Sequence, residues 1–409
     1  MGIRLDDYQL EAIEKLSKGK LLCGEVGSGK TRTALAYYYL KLCKGGIQVN
    51  GEGRFHKMRS PVDLYIITTA QVRDKRGWDN ELIPFFLARG FNEKHNVNVV
   101  IDSWNNLHKY EEARNSYFIF DEQRLVGSGA WVRSFLKISK YNNWNLLTGT
   151  PADNWSDYIP VFIANGFYRN RTEFERKHIV FRPFVRYKQV DRYVDTGILE
   201  WYKRQIVVPM NYTKPTNSHH EYKYVGYDKQ KYLFAWSNRK NPDTMKPFKN
   251  RTEMCMSLKE IMYKDQSRID MVEHYLLTVP KIIVFYNYNF ELDILRQLCK
   301  DNDLVYAEWN GTYHHAIPET DQWVYLVQYN AGAEGWNCTQ TDTILFYSEN
   351  YSYKIMHQAA GRIDRRNTDF KDLYYIHMLC RAPLDLSVRR AIINKKNFQE
   401  RNFIKDNDF

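Results

Sequence analysis

An α/β fold built on two separate, mostly parallel sheets is predicted by three features of the sequence. The apolar run Lys20-Leu21-Leu22-Cys23 leads into Gly24-Glu25-Val26-Gly27-Ser28-Gly29-Lys30-Thr31, and an apolar stretch over 33–40 follows, in the order strand, glycine loop, helix. From Asp63 onward short apolar runs alternate with helical patterns, the rhythm of a parallel sheet with right-handed crossovers. The same rhythm resumes at Lys281, far enough downstream to build a second core. A chain of 409 residues has room for two or three domains.

The glycine loop fits G-x-x-x-x-G-K-[ST], whose backbone amides cradle phosphates. Gly24, Gly27 and Gly29, with Ser28 between, permit the backbone conformations the cradle needs, and the new helix points its positive end at the anion. Lys30 is expected to reach the β- and γ-phosphates, and the Thr31 hydroxyl to ligate Mg²⁺. Upstream, Asp6 and Asp7 are capping candidates, and Leu10, Ile13 and Leu16 recur at helical spacing. Gln9, beside Tyr8, either reads the Hoogsteen edge of adenine through its carboxamide or is an exposed helix residue. Residues 45–60 hold four glycines and little periodicity, which predicts a surface loop.

Residues 64–68, 97–101 and 117–120 read as strands, with helices over 77–89 and 103–110. Directly after the third strand comes Asp121-Glu122, a carboxylate pair of the kind that nucleotide hydrolysis requires. Asp121 is expected to hold Mg²⁺ beside Thr31, and Glu122 to polarise the attacking water. A strand over 144–148 then runs into Thr148-Gly149-Thr150-Pro151, where the Thr148 and Thr150 hydroxyls can bridge the carboxylates to another lobe. From 167 to about 215 the chain is basic and aromatic. Its Arg169, Arg171, Arg176, Lys177, Arg182 and Arg186 fit solvated helices and a nucleic-acid track equally well. Helices are predicted over 227–238, 252–277, 291–298 and 353–360, and strands over 281–286, 323–327, 343–346 and 373–376.

Lysine and arginine number 59 against 48 acidic residues, a net charge of +11 that favours a polyanionic partner. The six cysteines form no C-x-x-C pair, and His219-His220 and His314-His315 lack a complement at ligand spacing. Reduced thiols in a cytoplasmic setting and no structural zinc are therefore expected. No apolar run approaches the 18 residues of a membrane span, and the first residues are polar, so neither a span nor a signal peptide is expected.

Together with Tyr8-Gln9, the phosphate loop, Thr68-Thr69-Ala70, Trp78, Glu81-Leu82, Asp121-Glu122 and Leu146-Leu147-Thr148-Gly149-Thr150-Pro151-Ala152-Asp153-Asn154, the sequence resembles the superfamily-two helicases and translocases of the Swi/Snf type. The resemblance implies two tandem RecA-like lobes, each a mostly parallel sheet flanked by helices, with ATP and Mg²⁺ in the cleft between them. Lobe 1 would span 1–165, a basic connecting segment 166–215, and lobe 2 216–409. Residues 329–337 resemble the family's glycine-rich motif, in which Gly332 lets a phosphodiester approach and Asn337 faces the nucleotide.

Gln358-Ala359-Ala360-Gly361-Arg362-Ile363-Asp364-Arg365 fits the family's Q-x-x-G-R-x-x-R. Arg362 and Arg365, one helical turn apart, would act as arginine fingers on the γ-phosphate, with Gln358 among the catalytic residues. Thr69, Ser103 and Gly332 match positions on the nucleic-acid path. Glu334 and Gln123-Arg124 depart from the family pattern, and the short, Tyr- and Asn-rich form resembles helicases encoded by bacteriophages. An ATP-dependent motor on DNA, largely indifferent to base sequence, is the activity implied. An ATP-gated nucleic-acid clamp and an RNA helicase are the alternatives.

Overall fold

The computed structural model describes residues 2–25, 27–88, 96–122, 125, 127–149, 154–183, 187–332, 336–365 and 367–394. Contacts divide the chain into two units, Met1–Thr213 and Lys214–Phe409.

The strands of the first unit are Gly2–Ile3 (β1), Leu21–Cys23 (β2), Gln48–Val49 (β3), Leu64–Thr68 (β4), Val99–Ser103 (β5), Tyr117–Asp121 (β6), Asn143–Thr148 (β7), Ile179–Phe181 (β8), Val190–Tyr193 (β9) and Val207–Pro209 (β10). Six of them form one sheet in the order β10-β2-β7-β6-β4-β5, parallel at every pairing. Both faces are covered, and neighbouring residues on a strand feed opposite cores. Leu22, Ile119 and Leu147 join one cluster, while Leu21, Phe118, Phe120 and Leu146 join the other. This two-sided burial is why these strands read as unbroken apolar runs. It also sets the carboxyl ends of β2, β7 and β6 side by side at one edge of the sheet, where ligands of open parallel sheets collect.

The second unit contributes Asn217–Val225 (β11), Lys281–Tyr286 (β12), Tyr306–Trp309 (β13), Trp323–Gln328 (β14), Thr343–Phe346 (β15) and Asp372–Cys380 (β16). They form a second sheet in the order β11-β16-β15-β12-β14-β13, again parallel throughout. The expectation of two tandem α/β lobes with mostly parallel sheets flanked by helices therefore holds.

Several elements differ from expectation. Of the segment 166–215, read as a connector, the residues up to Thr213 fall in the first unit by their contacts. Its helices Arg171–His178 and Thr196–Ile206 pack aromatic rings on Phe162, with Phe174 at 6.3 Å and Tyr202 at 5.9 Å, and β10 completes the sheet beside β2. Most of the described cations of that stretch are paired, Arg171 with Glu175, Lys177 with Glu173 and Arg182 with Asp191, as on a solvated surface. The helix expected over 252–277 is two, Arg251–Tyr263 and Gln266–Thr278, because the Asp265 carboxylate caps the second by accepting from the Ser267 amide (3.0 Å). Among the described residues between 77 and 89 only Asp79–Leu82 is α-helical, with a tighter turn over Ile83–Phe85 that contains Pro84. The loop 45–60 contains β3, which pairs with β1. Among the described residues no helix is long and apolar enough to cross a membrane.

The second unit is pinned by a buried ion pair. Arg268 donates to the Met378 carbonyl (3.0 Å) and lies 3.7 Å from Asp385, which accepts from Tyr263 Oη (2.9 Å) and the Cys380 amide (2.7 Å). Asp385→Ala leaves the arginine charge buried without its carboxylate. Urea denaturation is expected to show a loss of about 3–5 kcal/mol.

Candidate nucleotide site

The phosphate loop joins β2 to the helix Lys30–Ala36, which widens into π-helical turns over Tyr37–Leu42. Gly27 and Gly29 hold φ of +85° and +76°, conformations that side chains resist. A Cβ on Gly24 would sit 2.6 Å from Ser28 Oγ, so the loop closes tightly on itself. Lys30 Nζ folds back to donate to the carbonyls of Gly24 (2.6 Å) and Glu25 (2.9 Å), the posture of an ammonium that a phosphate can draw away. Thr31 stands half-buried in the first turn of the helix.

Gln9 is fully buried. Its Oε1 accepts from the Asp6 amide (2.9 Å), and its Nε2 lies 3.4 Å from the Ser28 carbonyl and 3.5 Å from that of Gly29. Tyr8 Oη donates to the same Ser28 carbonyl (3.1 Å). Gln9 thus braces the loop, and its burial overturns the reading of an exposed helix residue. Thr148, at the end of β7, accepts the Gly24 amide on its carbonyl (3.1 Å).

One strand, β7, separates the loop-bearing β2 from the acidic β6. Burial, reinforced by the neighbouring Glu122 charge, pushes Asp121 up to about 6, against the pull of the Thr68 hydroxyl, Lys30 and the Trp78 indole. Thr68 Oγ1 donates to Asp121 Oδ2 (2.9 Å), and Trp104 Nε1 to the Asp121 carbonyl (3.1 Å). A half-buried carboxylate so short of positive charge, at the edge where the loop ends, suits a divalent cation, with Asp121 and the Thr31 hydroxyl as the donors that would hold it. Glu122 has φ of +60°, in the left-handed region that a residue bearing a Cβ adopts only under constraint.

The raised Asp121 has a measurable consequence. The folded state binds its proton more tightly than the unfolded chain, whose carboxyl titrates near 3.8. Stability is therefore lost as pH rises from about 4 through about 6. Asp121→Asn is expected to stabilise the nucleotide-free protein at pH 7.5 by about 2 kcal/mol. The gain should vanish below pH 4 in thermal melts.

In the second unit, Gln358 is buried on the helix Tyr353–Ala360. The helix ends before the arginines, so the helical-turn spacing expected for Arg362 and Arg365 is not realised. Gly361 closes it, and both arginines lie on the turn beyond. Arg362 is buried and donates from Nη1 to the Trp336 carbonyl (2.7 Å), while the Cys338 amide donates to the Arg362 carbonyl (3.0 Å). Burial draws Arg365 down to about 10, opposed by the charge of Asp364, and its Nε is buried without a hydrogen-bond partner. An unsatisfied guanidinium donor of this kind suits an anion. Asn337 is exposed, between Trp336 and Cys338, whose backbone groups bond Arg362.

Of the nucleic-acid candidates, Thr69 caps the short helix Ala70–Asp74, accepting from the Val72 amide (3.2 Å). Ser103 is buried, with Arg73 Nη1 at 3.3 Å from its Oγ. The adjacent Asp102 is raised by burial but held down to about 2 by Tyr110, Asn106, the Ser103 amide and Arg73. Ser103 is thus committed to an internal network. Gly332 ends the short helix Tyr329–Gly332. Thr150, Gln123, Arg124, Arg186 and Glu334 lie outside the described residues. Residue patterns gave no signal for Trp104, or for Lys214 and Thr216, which both bond Asp364.

Neither a family model nor a curated protein matches the sequence. A solved structure described as the Sulfolobus solfataricus SWI2/SNF2 ATPase core in complex with dsDNA is similar over 98% of this chain and 92% of that one, with 15% identity and a TM-score of 0.41. A likeness at that level carries no functional argument, and the case for function stands on the residues.

Proposed function

We propose that the protein is a nucleic-acid-dependent ATPase that moves along DNA. What supports this most is the edge of the first sheet, where the phosphate loop on β2 and the Asp121-Glu122 pair on β6 flank a single strand. Lys30, released from the Gly24 and Glu25 carbonyls, neutralises the β- and γ-phosphates. Glu122 takes the proton of the attacking water. A bound Mg²⁺ supplies charge neutralisation of the phosphate oxygens, and Asp121 and Thr31 are the residues that would hold it. From the second unit, the guanidinium groups of Arg362 and Arg365 stabilise the charge of the γ-phosphoryl group in flight. Cleavage of the bond removes that anion, and alternating grip on DNA by the two units turns the cycle into movement.

The surplus of basic residues supports a polyanion as partner, gripped through its phosphates without reading bases. Raising salt from 50 to 200 mM is expected to weaken DNA binding by a factor on the order of 10 to 1,000, measured by fluorescence anisotropy. The deciding experiment compares ATP turnover with single-stranded DNA, duplex DNA and RNA, in the wild type and in Lys30→Ala. DNA-stimulated turnover lost in the variant supports the motor. Tight DNA binding with unstimulated turnover indicates a clamp, and a preference for RNA moves the protein to the RNA helicases.

A further inference from the structure

Asp364 stands between the two arginines in sequence, and its carboxylate is only 4% exposed. Its charge acts on Arg365, opposing the effect of burial there. Left alone, it would draw that guanidinium into an ion pair and withhold it from any phosphate. The carboxylate is instead occupied from elsewhere. Lys214 Nζ bonds Oδ2, and Thr216 Oγ1 donates to Oδ1 (2.8 Å). Both residues come from the first three of the second unit, at the point where the chain has just left Thr213. On its other side the turn is tied to the glycine-rich segment through the Trp336 and Cys338 bonds to Arg362. A turn that has run out of helical hydrogen bonds is thereby fixed from two directions.

We infer that Lys214 and Thr216 are positioning residues for the arginine turn, acting by occupying the Asp364 carboxylate so that Arg365 stays available to an anion. This rests on the role given above to Arg362 and Arg365. The chemistry dictates which charges are exchangeable. Without Lys214 the buried carboxylate has one hydroxyl donor and a neighbouring guanidinium, and it takes the guanidinium. With the carboxylate also neutralised, that competition disappears.

The test is a double-mutant cycle on the full chain. Lys214→Met is expected to lower kcat of DNA-stimulated ATP turnover roughly ten- to a hundredfold. KM for ATP should stay within about twofold, since the loss falls on the transition state. Lys214→Met/Asp364→Asn should recover most of the lost rate, and Lys214→Arg should keep it. Thermal melts of all three verify folding. A double variant as slow as Lys214→Met, or a change confined to KM, overturns the assignment. A second readout is independent of turnover: amide exchange across 361–365 should quicken in Lys214→Met without nucleotide. If the wild type turns over no ATP with any polynucleotide, the motor proposal fails, and unchanged exchange in that segment would refute the positioning role on its own.

Discussion

Arg365→Ala should keep its ATP and lose its turnover. An arginine that meets the γ-phosphate only in the transition state is worth about 10³–10⁵ in rate in related nucleotide hydrolases, or roughly 4–7 kcal/mol. The side chain's setting favours the upper part of that scale. Burial has drawn the guanidinium down to about 10, and its Nε has no partner, so desolvation has been met before any ligand arrives. Nucleotide affinity, measured with a fluorescent ATP analogue, should change little, because the phosphate loop belongs to the first unit. Arg365→Lys should recover only a fraction, since an ammonium cannot present the planar fork. A variant with near wild-type kcat would remove Arg365 from the chemistry and leave a buried structural arginine.

Glu122→Gln should slow hydrolysis by about 10²–10⁴, the usual worth of a positioned general base. The amide is nearly isosteric and keeps the neighbouring Asp121, so ATP should still bind and remain uncleaved. Single-turnover mixing with radiolabelled ATP separates the two steps, and DNA affinity in the ATP-bound state should be maintained. Undiminished turnover would reassign the base. Loss of ATP binding would mean that Glu122 holds the loop and performs no chemistry.

How far the sequence discloses this arrangement depends on where each signal is generated. Strands buried on both faces announce themselves as apolar runs, and Leu64–Thr68, Lys281–Tyr286 and Thr343–Phe346 lie where those runs predict. The helix Tyr353–Ala360 likewise matches its pattern. Breaks made by a single side chain are harder to see. Asp265 divides what reads as one helix because its carboxylate competes for a backbone amide, and apolar periodicity does not register that.

The motifs around Lys30 and Asp121 can be read because each is a contiguous run, and the fold sets their strands one apart. The setting of Gln9 is harder to read, because its carboxamide lies against Asp6 and the loop's own carbonyls, partners that only the folded chain brings together. The arginine turn combines both cases. Its residues are read from the motif, but the end of the helix at Gly361 and the tie from Lys214, 150 residues away, come from tertiary packing.

The left-handed backbone at Glu122 carries an evolutionary implication. Any residue with a Cβ pays about 1 kcal/mol to sit there, and glycine sits there freely. With Glu122 as the base proposed above, random substitution would therefore offer a sturdier but inert molecule at that position, one codon change away (GAA or GAG to GGA or GGG). A lineage that stopped needing the reaction should drift to glycine at 122 early. Among natural variants of this chain, the identity of that one residue would then sort working copies from relics.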